Sequence, residues 1–279
     1  MNTDEKKITL SVYNIVKNEE KQIAGYLSDL VDFADEIVVV DTGSSDKTLE
    51  IVDSFVKKYN NIKLYHYQAP GAFHYGQAWN FAIRNSTRGY LVLLATDERL
   101  AEDFKNNVRK FLVEKNPDVV KIKRVDESLP HLIDYPERII RNNLGIYYRS
   151  DEGGRVHEQL VHDRKADVFE GIIWHQQRWN HYIYRPQRIL FQLELQIERV
   201  PKTKSFLGHF LRGIWYFGYR FRKLYFRGKL YKDGKLGFKY AYMRALDAFL
   251  VEFFVGLKPN KYPEFWEQKQ SRTADDKNV

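Results

Sequence analysis

The amino-acid sequence predicts an α/β protein: a mainly parallel, doubly wound sheet followed by a C-terminal helical extension. Three observations carry that expectation. Over the first 125 residues, strand and helix signals alternate at short spacing, the pattern of βαβ units. From Arg185 onward the signals are helical. A chain of 279 residues with 43% apolar content can also bury one large core or two modest ones.

The elements follow in order. ITLSVYNIV (8–16) is the first expected strand and NEEKQIAGYLSDLVDFA (18–34) the helix after it. EIVVVDT (36–42) is a buried strand and SDKTLEIVDSFVKKY (45–59) an amphipathic helix. KLYHYQ (63–68), GQAWNFAIRNS (76–86), YLVLLATDE (90–98), AEDFKNNVRKFLVEK (101–115) and DVVKIKRV (118–125) continue the alternation. Right-handed crossovers then gather the strand ends on one edge, where open α/β sheets hold ligands. After Arg124 the rhythm breaks into segments punctuated by Pro and Gly, with shorter strands at ERIIR (137–141) and GIIWHQQ (171–177). Helices are expected over 185–200, about 206–228 and about 235–256, and a disordered tail at SRTADDKNV.

Composition removes several classes of function. With no cysteine there is neither a disulfide framework nor a thiolate metal site, which fits a reducing compartment. The start, MNTDEKKITL, lacks an apolar stretch of signal-peptide length, and no uninterrupted apolar run reaches about 18 residues. The expected location is therefore cytoplasmic. GxGxxG and Walker-type phosphate loops, His-Glu-x-x-His zinc spacing and a Gly-x-Ser-x-Gly elbow are all absent.

Two strand ends carry candidate chemistry. Asp41 closes the apolar run EIVVVD and is followed by Gly43, Ser44 and Ser45 at a helix start. An acid there can accept a hydrogen bond from a base or ribose while backbone N–H groups approach a ligand. Equally, Ser and Asp can simply cap the helix. The second end is the acidic turn ATDE (95–98), whose oxygens suit Mg²⁺ or Mn²⁺. A cation bound to a diphosphate needs only one or two protein carboxylates, because phosphate and water complete its shell. The alternative is an exposed acidic turn opening the next helix.

Taken in order, these segments resemble the GT-A glycosyltransferases of family 2. SVYNIVKNEE followed by DEIVVVDTGSSDKT is similar to the family's opening nucleotide-binding strands, and YGQAWNFAIRNSTRGYLVLLATDERL to the stretch that runs into its metal-binding acidic motif. GGRVHEQL (153–160) and IIWHQ (172–176) resemble acceptor-side elements of the bacterial branch that includes lipopolysaccharide inner-core glucosyltransferases. The resemblance spans roughly residues 8–256. It implies a Rossmann-like catalytic domain over 1–184, with a nucleotide-binding half (1–125) and an acceptor-side half (126–184). Beyond it would lie a basic aromatic extension (185–262) and a tail (263–279).

The resemblance also implies roles. Asp41 would contact the uracil of a nucleotide sugar, with Tyr13, Asn14, Gly43, Ser44 and Asn80 around the nucleotide. Asp97 would hold a divalent cation, Mn²⁺ or Mg²⁺, and Arg99 and Arg155 would face phosphate. Glu158 would be the base that takes the acceptor's proton, with His157 beside it; His175 ranks below both, as a structural histidine. Ala95 stands where an earlier acid is expected, and Trp79 where the branch commonly has arginine. Arg84 or Arg99 is then the available substitute cation. Two readings stay open: an inverting hexosyltransferase acting on a bacterial glycolipid with altered donor recognition, or a catalytically weakened nucleotide- or glycan-binding module.

The net charge of +8 and pI near 9.3 are concentrated late: Lys202–Arg244 holds twelve Lys/Arg and one acid, Asp233. At helical spacing Phe206, Phe210, Ile214, Phe217, Phe221 and Leu224 form an apolar stripe with Arg212, Arg220, Arg222, Lys223 and Arg227 around it. That pattern over 205–257 suits a helix lying on an anionic membrane surface near a lipid-linked acceptor. The alternative is a packed helix with a solvated basic face. No RNA-binding motif accompanies the charge, so nucleic acid is not expected.

Overall fold

The computed structural model describes residues 8–71, 73–149, 160–176, 193, 197 and 205–257. The chain divides into two compact units, 1–177 and 178–279. In the first, β1 (Leu10–Val16), β2 (Glu36–Asp41), β3 (Ile62–His66) and β4 (Tyr90–Leu93) alternate with α1 (Ile23–Leu30), α2 (Thr48–Lys58) and α3 (Tyr75–Arg84). β5 (Glu98–Leu100), α4 (Glu102–Lys115), β6 (Val119–Asp126), β7 (Ile133–Asp134), β8 (Glu137–Arg141) and β11 (Ala166–His175) follow, with a separate β9 (Tyr147–Tyr148) and β10 (Leu160–Val161) ladder.

Across the sheet the order is β3-β2-β1-β4-β8-β6-β11-β5, with β7 on β6. β3, β2, β1 and β4 are mutually parallel, as βαβ crossovers require. β8 runs antiparallel between β4 and β6, β11 is parallel to β6, and β5 is antiparallel to β11. Alternation along β1 sends Leu10, Val12 and Val16 into one core layer with Tyr26 of α1 and Phe104 of α4. Tyr13 goes into the opposite layer with Ala82 of α3.

Two departures from the expected elements matter for the site. The helix expected from residue 18 begins at Ile23, because Asn18 holds the left-handed region (φ 58°) that a helix cannot contain. Residues 17–22 therefore form a turn at the sheet edge. The single strand expected over 90–98 splits: β4 pairs with β1, while β5 pairs with β11 beyond β6. The acidic turn lies in the crossing between them.

Glu36, at the start of β2, is buried and accepts hydrogen bonds from Ser11 Oγ, Lys63 Nζ (2.6 Å) and both Thr87 N (2.7 Å) and Oγ1 (2.8 Å). Burial opposes its charge, but these donors outweigh it and hold the carboxyl at about 2. A depressed folded-state pKa gives stability that is full above the unfolded value of about 4.3 and is lost as pH falls toward 2. Glu36→Gln is expected to cost about 2–3 kcal/mol at pH 7. Urea titrations should show that gap closing between about pH 5 and 2; a gap independent of pH would remove Glu36 from this role.

In the second unit, α5 (Phe206–Arg222) is capped by Ser205, whose Oγ accepts from Gly208 N–H, and is joined to α6 (Gly234–Leu257) by two short helical turns. The phenylalanines of the expected membrane stripe face α6 instead. Phe206 meets Phe253, Phe210 meets Phe249, Phe217 meets Tyr242 and Phe221 meets Phe238, all edge to face. Between the helices, buried His209 and Arg212 share the carboxylate of Glu252. Exposed on α5 are Leu207 (63%), Leu211, Trp215 (60%) and Tyr219, together with Ile214 and part of Phe206 from the expected stripe. Periodicity showed an apolar helix without showing which side had a partner. No helix among the described residues is long and apolar enough to cross a membrane.

Candidate active site

Parallel register brings three strand ends level: Val16 of β1 opposite Asp41 of β2, and Asp41 opposite His66 of β3. Beyond them opens a cavity of about 730 Å³, lined by Lys17, Glu19, Asp41, Gly43, His66 and Tyr75 among others. Asp41 is only 4% exposed. Its Oδ2 accepts the Gly43 N–H (2.9 Å) and its Oδ1 the Ser44 N–H (3.1 Å), so part of its capacity does shape the following turn. A carboxylate has about four acceptor positions, which leaves room for a ligand donor from the cavity. Gly43 has φ 102°, a conformation that needs glycine, and the space where a Cβ would stand is open. Ser44 Oγ accepts from Asn18 N–H (3.0 Å) and Asn18 Oδ1 from Ser45 N–H (2.8 Å), stapling the two edge turns together.

At the acidic turn, Ala95 C=O accepts from Glu98 N–H (3.0 Å) while Glu98 Oε2 accepts from Ala95 N–H (2.9 Å). Glu98 is fully buried, and its Oε1 takes Arg138 (2.6 Å) and Arg124 (3.1 Å). It is a structural anchor whose oxygens face its own turn and two arginines. Asp97 is left to face outward. Its Oδ2 lies 3.3 Å from His175 Nε2, and His175 Nδ1 lies 3.2 Å from Oδ2 of buried Asp126. Strand pairing sets this chain, because β11 places His175 level with Glu98 on one side and Asp126 on the other. Burial disfavours charge on His175, but its hydrogen bonds to Asp126 and Asp97 push it up to about 9. Burial likewise opposes the Asp97 charge, and the hydrogen bond and charge of His175 hold that carboxyl below its usual value.

Asp97 offers a hard oxygen and His175, when neutral, a nitrogen whose far side is oriented by a carboxylate, a donor pair that fits Mn²⁺ or Mg²⁺ with phosphate and water completing the shell. No group of three or more His, Asp and Glu able to hold a metal occurs among the described residues. Glu19 joins the turn to the cavity: it lines the cavity and lies close enough to Thr96 and Asp97 for both to act on its carboxyl. Burial raises its carboxyl, Thr96 opposes this, and the Asp97 charge adds to the rise.

The structure separates other expected residues from this edge. Tyr13 and Asn14 lie inside β1, both buried, because the strand continues to Val16; Tyr13 Oη meets Tyr148 Oη (3.2 Å). Asn80 spends its amide on the Tyr148 backbone, donating to the carbonyl (2.8 Å) and accepting from the N–H (2.7 Å). Arg99 donates to the carbonyls of Thr96 and Glu98 (2.7 Å each) and Gln22 (3.4 Å), which ties its guanidinium to the turn. Trp79 packs between Tyr13 and Tyr148, 6.0 Å from each ring, and is not among the residues lining the cavity. Arg155, His157 and Glu158 lie outside the described residues. Glu19, Lys17 and Asp126 were missed. The one available signal was KNEE directly after an apolar strand, which looks like a helix start.

Comparison with known proteins adds the family. The model "Glycosyl transferase family 2" matches residues 11–252. Lipopolysaccharide core biosynthesis glycosyltransferase LpsC of Rhizobium meliloti (strain 1021) is 28% identical over 268 residues, 88% of this chain and 91% of that protein. Glycosyltransferase GlyG of Streptococcus pneumoniae serotype 4 is 31% identical over 85 residues, 30% of this chain and 28% of that one. The structure of mannosyltransferase PcManGT from Pyrobaculum calidifontis, in complex with GDP-Man and Mn²⁺, has the same fold: TM-score 0.50, 16% identity, 97% of this chain and 81% of that one. With a mixed, mainly parallel GT-A sheet and a family match over most of its length, the chain belongs to glycosyltransferase family 2 and is a nucleotide-sugar glycosyltransferase.

Proposed function

We propose that this enzyme transfers a hexose, with inversion, from a uridine diphosphate sugar to a bacterial surface glycolipid such as a lipopolysaccharide core. The observation that carries the reading is the continuity of the edge site, in which Glu19 lines the Asp41 cavity and lies close to the turn that bears Asp97. Asp41 would accept from the base, and the diphosphate would lie toward Glu19 and Asp97. Asp97 and His175 would hold a Mn²⁺ or Mg²⁺, which would supply neutralisation of the diphosphate charge. The acceptor hydroxyl attacks the anomeric carbon as the bond to the diphosphate oxygen breaks, and that bond's electrons leave with the nucleotide. Glu158 takes the hydroxyl proton, His157 orients it and Arg155 faces the leaving phosphate; these three roles rest on the resemblance of GGRVHEQL.

The acceptor class is supported by the name of LpsC. We place the enzyme on the inner face of the cytoplasmic membrane through α5, by the exposed set Leu207, Leu211, Ile214, Trp215 and Tyr219 rather than by the phenylalanines. Residues 205–257 carry ten Lys/Arg against three acids, and each basic side chain near an anionic leaflet contributes about 1 kcal/mol.

One experiment tests both parts: purified chain, Mn²⁺, a panel of UDP- and GDP-sugars, and vesicles with extracted core glycolipid, with or without anionic lipid. Transfer from a UDP-sugar is expected, with co-sedimentation that needs anionic lipid and weakens with salt. Glu158→Gln should keep UDP binding and lose transfer. Binding without turnover on any acceptor would favour a binding module, the reading that Ala95 in place of an acid supports; absence of nucleotide binding would end both.

A further inference from the structure

We infer that Lys17 meets the donor's diphosphate from the end of β1, supplying there the cation that Arg84 and Arg99 do not. The inference rests on the edge cavity being the nucleotide site. A nucleotide sugar brings at least two negative charges, and the cavity already contains two carboxyl groups, Glu19 and Asp41. Like charges at this range exclude one another unless a cation stands between them. Among the described residues lining the cavity, Lys17 is the single lysine or arginine.

Its position follows from strand register. Val16 is the last residue of β1 and pairs with Asp41, so Lys17 is the first residue past the sheet edge. The turn that follows is fixed by Asn18, whose left-handed backbone and two bonds to Ser44 and Ser45 hold it against the Asp41 loop. Lys17 is exposed and makes no ion pair among the described residues. A compact ammonium on a flexible four-carbon stem can follow a diphosphate in the cavity.

The other described candidates are committed elsewhere. Arg99 is held by three carbonyls. Arg84 lines a separate cavity of about 610 Å³, with Arg141 and Asn143, at the opposite end of α3 from Tyr75. His66 stands 3.8 Å from Asp41 Oδ2, beside the acid assigned to the base.

Calorimetry of the full chain with uridine and with UDP, each in Mn²⁺ and in EDTA, separates the outcomes. Lys17→Met is expected to weaken UDP binding about tenfold or more in both conditions and leave uridine unchanged, and Lys17→Arg to restore much of the loss. UDP affinity within about twofold of wild type in Lys17→Met overturns the assignment. Equal losses for uridine and UDP, or an altered melting temperature with no rescue by arginine, make Lys17 structural and overturn it too. A wild-type chain that binds neither ligand removes the edge site itself, a failure distinct from that of Lys17.

Discussion

Asp97→Ala is expected to abolish the Mn²⁺-dependent part of UDP binding and to lower kcat/KM by about a thousandfold. Glu98 is occupied by two arginines and position 95 has no side-chain oxygen, so at this turn Asp97 is the carboxylate left to meet a cation. Its neighbour His175 is held by Asp126, and removing Asp97 takes away one of the two carboxylates that flank that imidazole. Loss of a ligand should exceed the ten- to hundredfold effects typical of residues that only orient one. Titration of UDP with and without Mn²⁺ gives the binding part and turnover of the preferred donor the rest. Equal UDP affinity in variant and wild type, with Mn²⁺ present, would remove Asp97 from the metal site.

Glu98→Ala is expected to be the most destabilising single change near the site, by about 3–5 kcal/mol, because it leaves Arg124 and Arg138 facing each other without their shared carboxylate. Arg138 is well buried and pairs with no other carboxylate among the described residues, whereas Arg124 retains Asp134 (2.8 Å). The backbone N–H of Ala95 also loses its acceptor. Urea unfolding at neutral pH measures the loss. A midpoint within experimental error of wild type would mean that the turn holds its shape without Glu98.

Much of the sheet was legible because Val, Ile and Leu runs of strand length, separated by amphipathic stretches, leave few other folds. EIVVVD became β2 as expected, while of YLVLLATDE only YLVL became β4. What stayed hidden depends on long-range partners. The family resemblance put Tyr13 and Asn14 near the nucleotide, whereas both are buried within β1, which runs on to Val16 opposite Asp41. Asn80 satisfies a strand 68 residues away, which nothing near it announces. His175 looked structural, and half of that is true: Asp126 holds one nitrogen while the other faces Asp97. The Phe stripe of α5 had the right period and the wrong side, since α6 claims it.

The crossing from β4 to β5 ties Asp97 to distant parts of the fold. Leu94 at its start donates to the Tyr13 carbonyl and accepts from Tyr26 Oη, while the Asp97 carbonyl at its end accepts from Gln176 N–H. The tetrapeptide is consequently no portable cassette. Grafted into another scaffold it would keep its letters and lose its aim, because the direction of that carboxylate is written in the spacing between the two margins it spans.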